Sequence, residues 1–292
     1  MAASLKYPLS LYRRALNVAV SLAVFVYLAL VIRFAWAPTP LAQALAAIGI
    51  AAAFAHAAMA YAFKHAAALF FICVVITFMM ENIGAATGFP FGRYHFEVGG
   101  DLPHIGAIPI IVGPLWFGMG YFAWSVAGSL LDGADYKLRK PRNLIALPIV
   151  AAFVMAQWDL VMDSPNATVA KAWIWHDGGA FFGVPLSNYL GWLLTSWLFY
   201  QAFAFYLRRQ AALAEASRSL RALAILFYVS AGLTYLTPWL LNDGGEAADR
   251  AGHIWRVQDV HTASVITMIF GMGFTAILSA IRLMNLIQPE AN

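Results

Sequence analysis

The sequence predicts an all-α, polytopic transmembrane bundle of about eight helices, and three observations predict it. Hydrophobic residues make up 62% of the 292 positions and charged residues only 11%, where a soluble globular domain carries roughly a quarter charged. Apolar runs close to the roughly 20 residues that cross about 30 Å of hydrocarbon recur along the chain. The basic residues fall in short, alternate connections instead of forming one exposed stripe, so the net charge of +4 reads as membrane topology and no nucleic-acid partner is expected.

Taken in order, the helices are expected near 16–36, 41–63, 66–86, 105–130, 143–162, 185–207, 221–241 and 260–283. The first follows Lys6, Arg13 and Arg14 and precedes an Ala42-Gln43-Ala44 triplet, as a signal peptide would. Its apolar run is too long for a signal h-region, so it is read as a retained helix. The join at Lys64-His65 leaves a very short turn between the second and third helices, and a seven-helix reading stays open there. No internal repeat or long linker is visible, so 1–292 reads as one integral-membrane domain. Cys73 lies alone in an apolar run, which offers neither a disulfide framework nor a cysteine metal site.

Charge sets the expected orientation. With the N-terminus inside, thirteen of the 18 basic residues fall on the cytoplasmic side, including Lys64, Lys137, Arg139, Arg208 and Arg221. Arg33, Arg93, Lys171, Arg250 and Arg256 fall outside, and this bias favours cytoplasmic N- and C-termini in an inner membrane. Ten of the 14 acidic residues, Asp243 among them, and five of seven histidines lie on or near the outer side. Any chemistry is therefore expected at the outer boundary.

Four outer stretches stand out. The first, 81–104, closes an apolar helix with Glu81-Asn82 and runs on through Arg93, Tyr94 and His95 to His104. Such residues are costly to hold near lipid and ask for a functional reason. In the second, 157–177, Asp159 and Asp163 stand four apart on one face of a helix end, and Pro165 is expected to end that helix. After a glycine pair, 178–192 brings Asn188, Tyr189 and Trp192 into the first turns of the next helix, as a loop dipping toward the membrane. The fourth stretch, 242–261, carries Trp255, Arg256, Asp259 and His261.

Four segments, ENIGAATGFPFGRYHF at 81–96, WDLVMDSP at 158–165, WIWHDGG at 173–179 and FGVPLSNYLGW at 182–192, together resemble the integral-membrane carotenoid biosynthesis family. Its characterised members are carotenoid 1,2-hydratases of the bisanhydrobacterioruberin and gamma-carotene type. The resemblance covers about 66–283 and implies addition of water to the terminal double bond of an acyclic carotenoid, leaving a tertiary alcohol. It implies a carotenoid or related isoprenoid as partner, within membrane lipid, and assigns no catalytic residue.

The residues suit that chemistry. Hydrating a trisubstituted alkene needs a proton donor, stabilisation of a tertiary cation and one held water, and no cofactor. A carboxylic acid in an apolar site is disfavoured in its ionised form and stays able to donate. Glu81 fits this role first and Asp159 second, with Asp163 beside it. Trp158, Trp173, Trp175, Tyr94, Tyr189 and Trp192 offer ring faces to a cation or a polyene. Asn82, Asn188 and Tyr94 could hold the water, and Arg93 reads as an ion-pair partner at the same site. The structural alternatives are a helix-pinning hydrogen bond for Glu81 and Asn82, helix capping for the aspartates, and an interfacial belt for the rings. The outer histidines match no compact ligand motif, so no metal is expected. Keeping the acid but quenching the cation by proton loss or ring closure would make an isoprenoid isomerase or cyclase. A carotenoid-binding protein and a proton-coupled transporter are the non-enzymatic alternatives.

Overall fold

The structure is a computed structural model that describes residues 8–242 and 244–285, so Lys6 and Asp243 of the charge pattern lie outside the described residues. It is an α-helical membrane bundle. Helix α1 (Pro8–Phe34) is followed by α2 (Pro40–Tyr61), whose start is capped by the Thr39 hydroxyl, and by α3 (Phe63–Thr87). The two part at the single residue Ala62, which takes a positive φ of 69°. That one-residue break decides for eight helical segments over seven. The fourth segment starts later than expected. Residues 105–111 do not enter the helix but turn through strands β2 (His104–Ile105) and β3 (Ile108–Pro109), and α4 spans Val112–Leu130.

Helix α5 (Pro141–Ser164) does not stop at Pro165. Proline has no N–H to give the preceding turn, and the chain widens there into a π turn over Pro165–Val169, with Ala170 N donating to the Pro165 carbonyl at 2.9 Å. Helix α6 (Leu186–Arg208) and α7 (Arg218–Leu233) follow, and α8 (Leu236–Leu241) continues the seventh segment after a short break. The last segment is α9 (Val257–Thr267), a π turn at Met268–Gly273 and α10 (Phe274–Asn285). Six of the eight segments are long and apolar enough to cross a membrane by composition alone. The other two, α4 and α6, are rich in Trp, Tyr and Gly, which lowers their hydropathy. Of these, α4 forms the interior, packed against α2, α3, α5, α7 and α10, while α6 packs on α3 and α5 and leaves Leu186, Leu190 and Phe205 exposed on its other side.

At one end of the bundle a small ribbon is laid over the helices. Strand β1 (Tyr94–Phe96) pairs antiparallel with β4 (Trp173–Trp175), placing Tyr94 opposite Trp175 and Phe96 opposite Trp173. Side chains alternate across a strand, so those four rings face the bundle while His95 and Ile174 face away. A second ribbon, β5 (Glu246–Ala248) with β6 (Ile254–Arg256), lies between α8 and α9. The ring of Phe91 anchors the first loop. It is wedged between α3 and α6 at Gly84 and Gly191, where an added Cβ would stand 2.7 and 2.5 Å from the Phe91 ring.

Candidate functional site

Beneath the β1–β4 ribbon lies a cavity of about 400 Å³. Its walls come from helices α1 to α7 and the ribbon, among them Tyr27 and Val31 of α1, Glu81 of α3, residues of 112–122 on α4, Trp158 and Asp163 of α5, and Asn188 and Trp192 of α6. On α4 the lining runs ten residues inward. At 1.5 Å per residue this is about 15 Å, or half the hydrocarbon thickness. The cavity thus reaches, along α4, about half a hydrocarbon thickness from the ribbon end.

Most of its lining is apolar; its two carboxyl groups are Glu81 and Asp163, with Asn188 beside the latter, and Asn166, Ser230 and Thr234 add further polar groups. Glu81 lies six residues before the end of α3 and is 5% exposed. The Tyr94 hydroxyl donates to its Oε2, and the Trp116 indole donates to Oε1 at 3.0 Å. Trp116 in turn stacks on Trp192, ring centroids 3.8 Å apart at 14°, and Trp158 meets Trp192 edge-on at 5.8 Å. Opposite, Asn188 in the first turn of α6 donates its amide both to Asp159 Oδ2, at 3.1 Å, and to Asp163 Oδ2. The Trp173 indole donates to Asp163 Oδ1 at 2.5 Å. The four-residue spacing of the two aspartates therefore does put them on one face, and one asparagine spans both.

The two aspartates are not equivalent. Asp163 lines the cavity; Asp159, 0% exposed, sits one turn behind it and is not part of the lining. Asp163, rather than Asp159, is the second carboxyl group open to a ligand beside Glu81. Of the remaining expected residues, Tyr94, Trp158, Trp173, Trp175, Asn188 and Trp192 are all brought to the cavity.

Three are not. The Asn82 amide is engaged with the Phe78 and Ile105 carbonyls at 2.8 and 3.0 Å and accepts from Ala107 N at 2.9 Å, so it clips the β2–β3 turn to α3. Arg93 lies on the surface in a two-pronged pair with Asp177, at 2.9 and 2.5 Å. That hydrogen bond holds the Asp177 carboxyl below its ordinary range. Tyr189 turns its ring to Phe181, edge-on at 5.8 Å, away from the cavity. Residues 244–261 stay apart from the cavity as well: Trp255 donates to Asp249, and Arg256 pairs with Asp259 at the surface. His95 bonds His176 at 2.7 Å and Glu97 at 2.9 Å on the exposed face of the ribbon.

The structure adds residues that sequence patterns did not single out. Trp116, 35 positions from Glu81, is the most direct, because it touches the carboxyl group itself. Asn166 on the π turn donates to the Tyr235 hydroxyl at 2.8 Å and closes the wall beside Asp163.

The chain belongs to the carotenoid biosynthesis protein family, whose sequence model matches residues 40–241. Over 118 residues it is 33% identical to the bisanhydrobacterioruberin hydratase of Haloarcula japonica, a match covering 40% of this chain and 37% of that protein. The aligned part is thus little more than a third of the relative's length. No solved structure matches.

Proposed function

We propose that this protein is a cofactor-independent carotenoid hydratase, which adds water across the terminal double bond of an acyclic carotenoid end. The observation that carries the reading is the cavity: a largely apolar, ring-lined space among the helices into which two carboxyl groups, Glu81 and Asp163, open. The family and the hydratase relative point the same way.

In the proposed reaction Glu81 gives its proton to the less substituted alkene carbon, and the π electrons form the new C–H bond. The positive charge falls on the tertiary carbon, facing the indoles of Trp116, Trp158 and Trp192. A ring face is worth on the order of 1–2 kcal/mol to a desolvated cation. A water at Asn188 and Asp163 then supplies its lone pair to that carbon. Asp163 takes the released proton, and a second water returns it to Glu81. Tyr94 and Trp116 fix the Glu81 carboxyl group, and Asp159 acts behind Asn188 as a positioning residue. The ribbon end is assigned to the outer face of an inner membrane, on the strength of the basic residues at the opposite end.

Expression in a host that makes lycopene tests this. The expected result is new polar carotenoids heavier by one water per modified end. An unchanged pigment profile with the protein correctly inserted would sink the hydratase reading.

A further inference from the structure

The cavity is far larger than the reaction requires. A water takes about 30 Å³ in the liquid, so a five-carbon end group with one water leaves most of the 400 Å³ unused. Part of the cavity is an arm between α1, α2 and α7, whose lining is of different character. Ala42, Ala46 and Gly49 recur at helical spacing on one wall of α2, facing Tyr27 and Val31 of α1, with Phe227 of α7 closing the space. The arm has no charged side chain. It ends beside the most loosely held helix: no described side chain of α1 is buried. Helix α1 is fastened by Tyr27 donating to the Leu45 carbonyl at 2.9 Å and by Thr237 donating to the Ile32 carbonyl at 2.9 Å.

Gly49 is where α2 approaches the Tyr27 hydroxyl of α1. A Cβ placed there would stand 2.7 Å from the Tyr27 hydroxyl oxygen, well inside contact distance. Any larger side chain at 49 must displace Tyr27 or fill the arm. A long chain anchored at Glu81 finds an apolar continuation here, beside a helix with no buried side chain among the described residues.

Building on the hydratase reading, we infer that the arm binds the unreacted stretch of a long acyclic polyisoprenoid, and that Gly49 sets the chain length the site accepts. One end of the substrate reacts at Glu81 while the remainder passes between α1 and α2 toward the bilayer. A short isoprenoid with the same end group fills the reacting wall and leaves the arm to lipid or solvent.

The experiment compares purified wild type, Gly49→Phe and Ala46→Phe in detergent, with lycopene and with the twenty-carbon alcohol geranylgeraniol, which carries the same terminal group. Retained helical circular dichroism and a single elution peak identify folded variants. The expected result is a kcat/KM ratio of lycopene to geranylgeraniol at least about tenfold lower in both variants, with Tyr27→Phe restoring part of the loss in a Gly49→Ala background. An unchanged ratio overturns the assignment. Lycopene binding is measured in parallel from its visible absorbance on the protein. If wild type turns over neither compound, the hydratase reading fails but the arm is still judged. Lycopene held by wild type and lost from both variants upholds it. Equal binding by all three, or lipid acyl chains that lycopene does not displace from wild type, overturns it.

Discussion

Replacing Glu81 by glutamine removes one ionisable group and almost nothing else. The carboxyl oxygens take one hydrogen bond each, from the Tyr94 hydroxyl and the Trp116 indole. A glutamine can present its carbonyl oxygen to Trp116, which only donates, and its NH₂ to Tyr94, whose hydroxyl can turn to accept. Both bonds survive, so Glu81→Gln is expected to fold and to bind carotenoid as wild type does. What it loses is the transferable proton. A positioned general acid contributes typically 10²–10⁴-fold, or about 3–5 kcal/mol of barrier, and turnover should fall by that factor with carotenoid binding unchanged. The assay is product formation by the purified variant, with bound pigment measured by absorbance. A variant retaining more than about a tenth of wild-type turnover would refute the assignment and move the proton donor to Asp163, the other carboxyl group on the cavity wall.

The remaining expectations follow from the same geometry. Asp163→Asn should lower turnover by about 10²-fold or more and Asp159→Asn by less, because only Asp163 lines the cavity; the reverse order in single-turnover rates would undo the division of roles. Trp116→Phe keeps a ring against Trp192 but drops the bond to Glu81 Oε1. Bonds to charged or ionisable partners are worth about 1.5–3 kcal/mol, so kcat should fall about 10–100-fold, and an unaltered kcat would show that the indole serves only packing. Arg221→Met leaves Asp135 buried without its cation, and breaking such a pair costs about 3–5 kcal/mol. A lowered thermal midpoint in detergent, largely recovered when Asp135→Asn is added, is the expected readout, and an unchanged midpoint contradicts it. A reporter fused after Ile287 should be cytoplasmic, and an external signal there would invert the sidedness.

Much of this was legible in the sequence because the bilayer leaves few options. A chain in hydrocarbon must satisfy its backbone internally, so each long apolar run had to be a helix, and all eight appear. The boundaries that moved are those where side chains decide. Residues 105–111 are apolar enough to extend a helix, but Gly106 takes a positive φ of 66° and the Asn82 amide captures the turn. Glu81, Asp163 and Asn188 were visible as polar residues misplaced in apolar surroundings. Their meeting was not, since it depends on α6 packing against both α3 and α5. Arg93 and Asn82 sit in the same conspicuous stretch as Glu81, yet hydrogen bonds to Asp177 and to the β2–β3 turn hold them elsewhere; a loop has no period from which direction could be read. Trp116 was hidden for the opposite reason. In a helix with Trp, Tyr and Phe throughout, one more ring carries no signal until its N–H is found pointing at a carboxyl group.

A hollow half requires a firm one. Inside a bilayer, helices gain no hydrophobic drive toward one another and are held by packing and by hydrogen bonds, and a cavity of about 400 Å³ removes packing contacts from the ribbon end. The opposite end is built the other way. Arg221 of α7 reaches Asp135, in the α4–α5 connection, at 3.2 Å and lies over the Tyr136 ring. Tyr61 at the end of α2 donates to the same aspartate at 2.5 Å, and Gly128 of α4 makes room for it, since a Cβ there would stand 2.6 Å from the Asp135 carboxyl. One turn nearer the middle, His56 of α2 bridges Tyr121 of α4 and the Leu220 carbonyl of α7, at 2.5 and 2.8 Å. Helices α2, α4 and α7 are thus tied together at one end and spread around the cavity at the other. The proposed passage of a substrate chain between the ribbon ends of α1 and α2 would then leave the rest of the bundle seated. Amide exchange should report the difference, slow along Ala53–Tyr61 of α2 and faster along Ala42–Ile50 of the same helix, and a uniform rate would mean that the cavity end is held as firmly as the other.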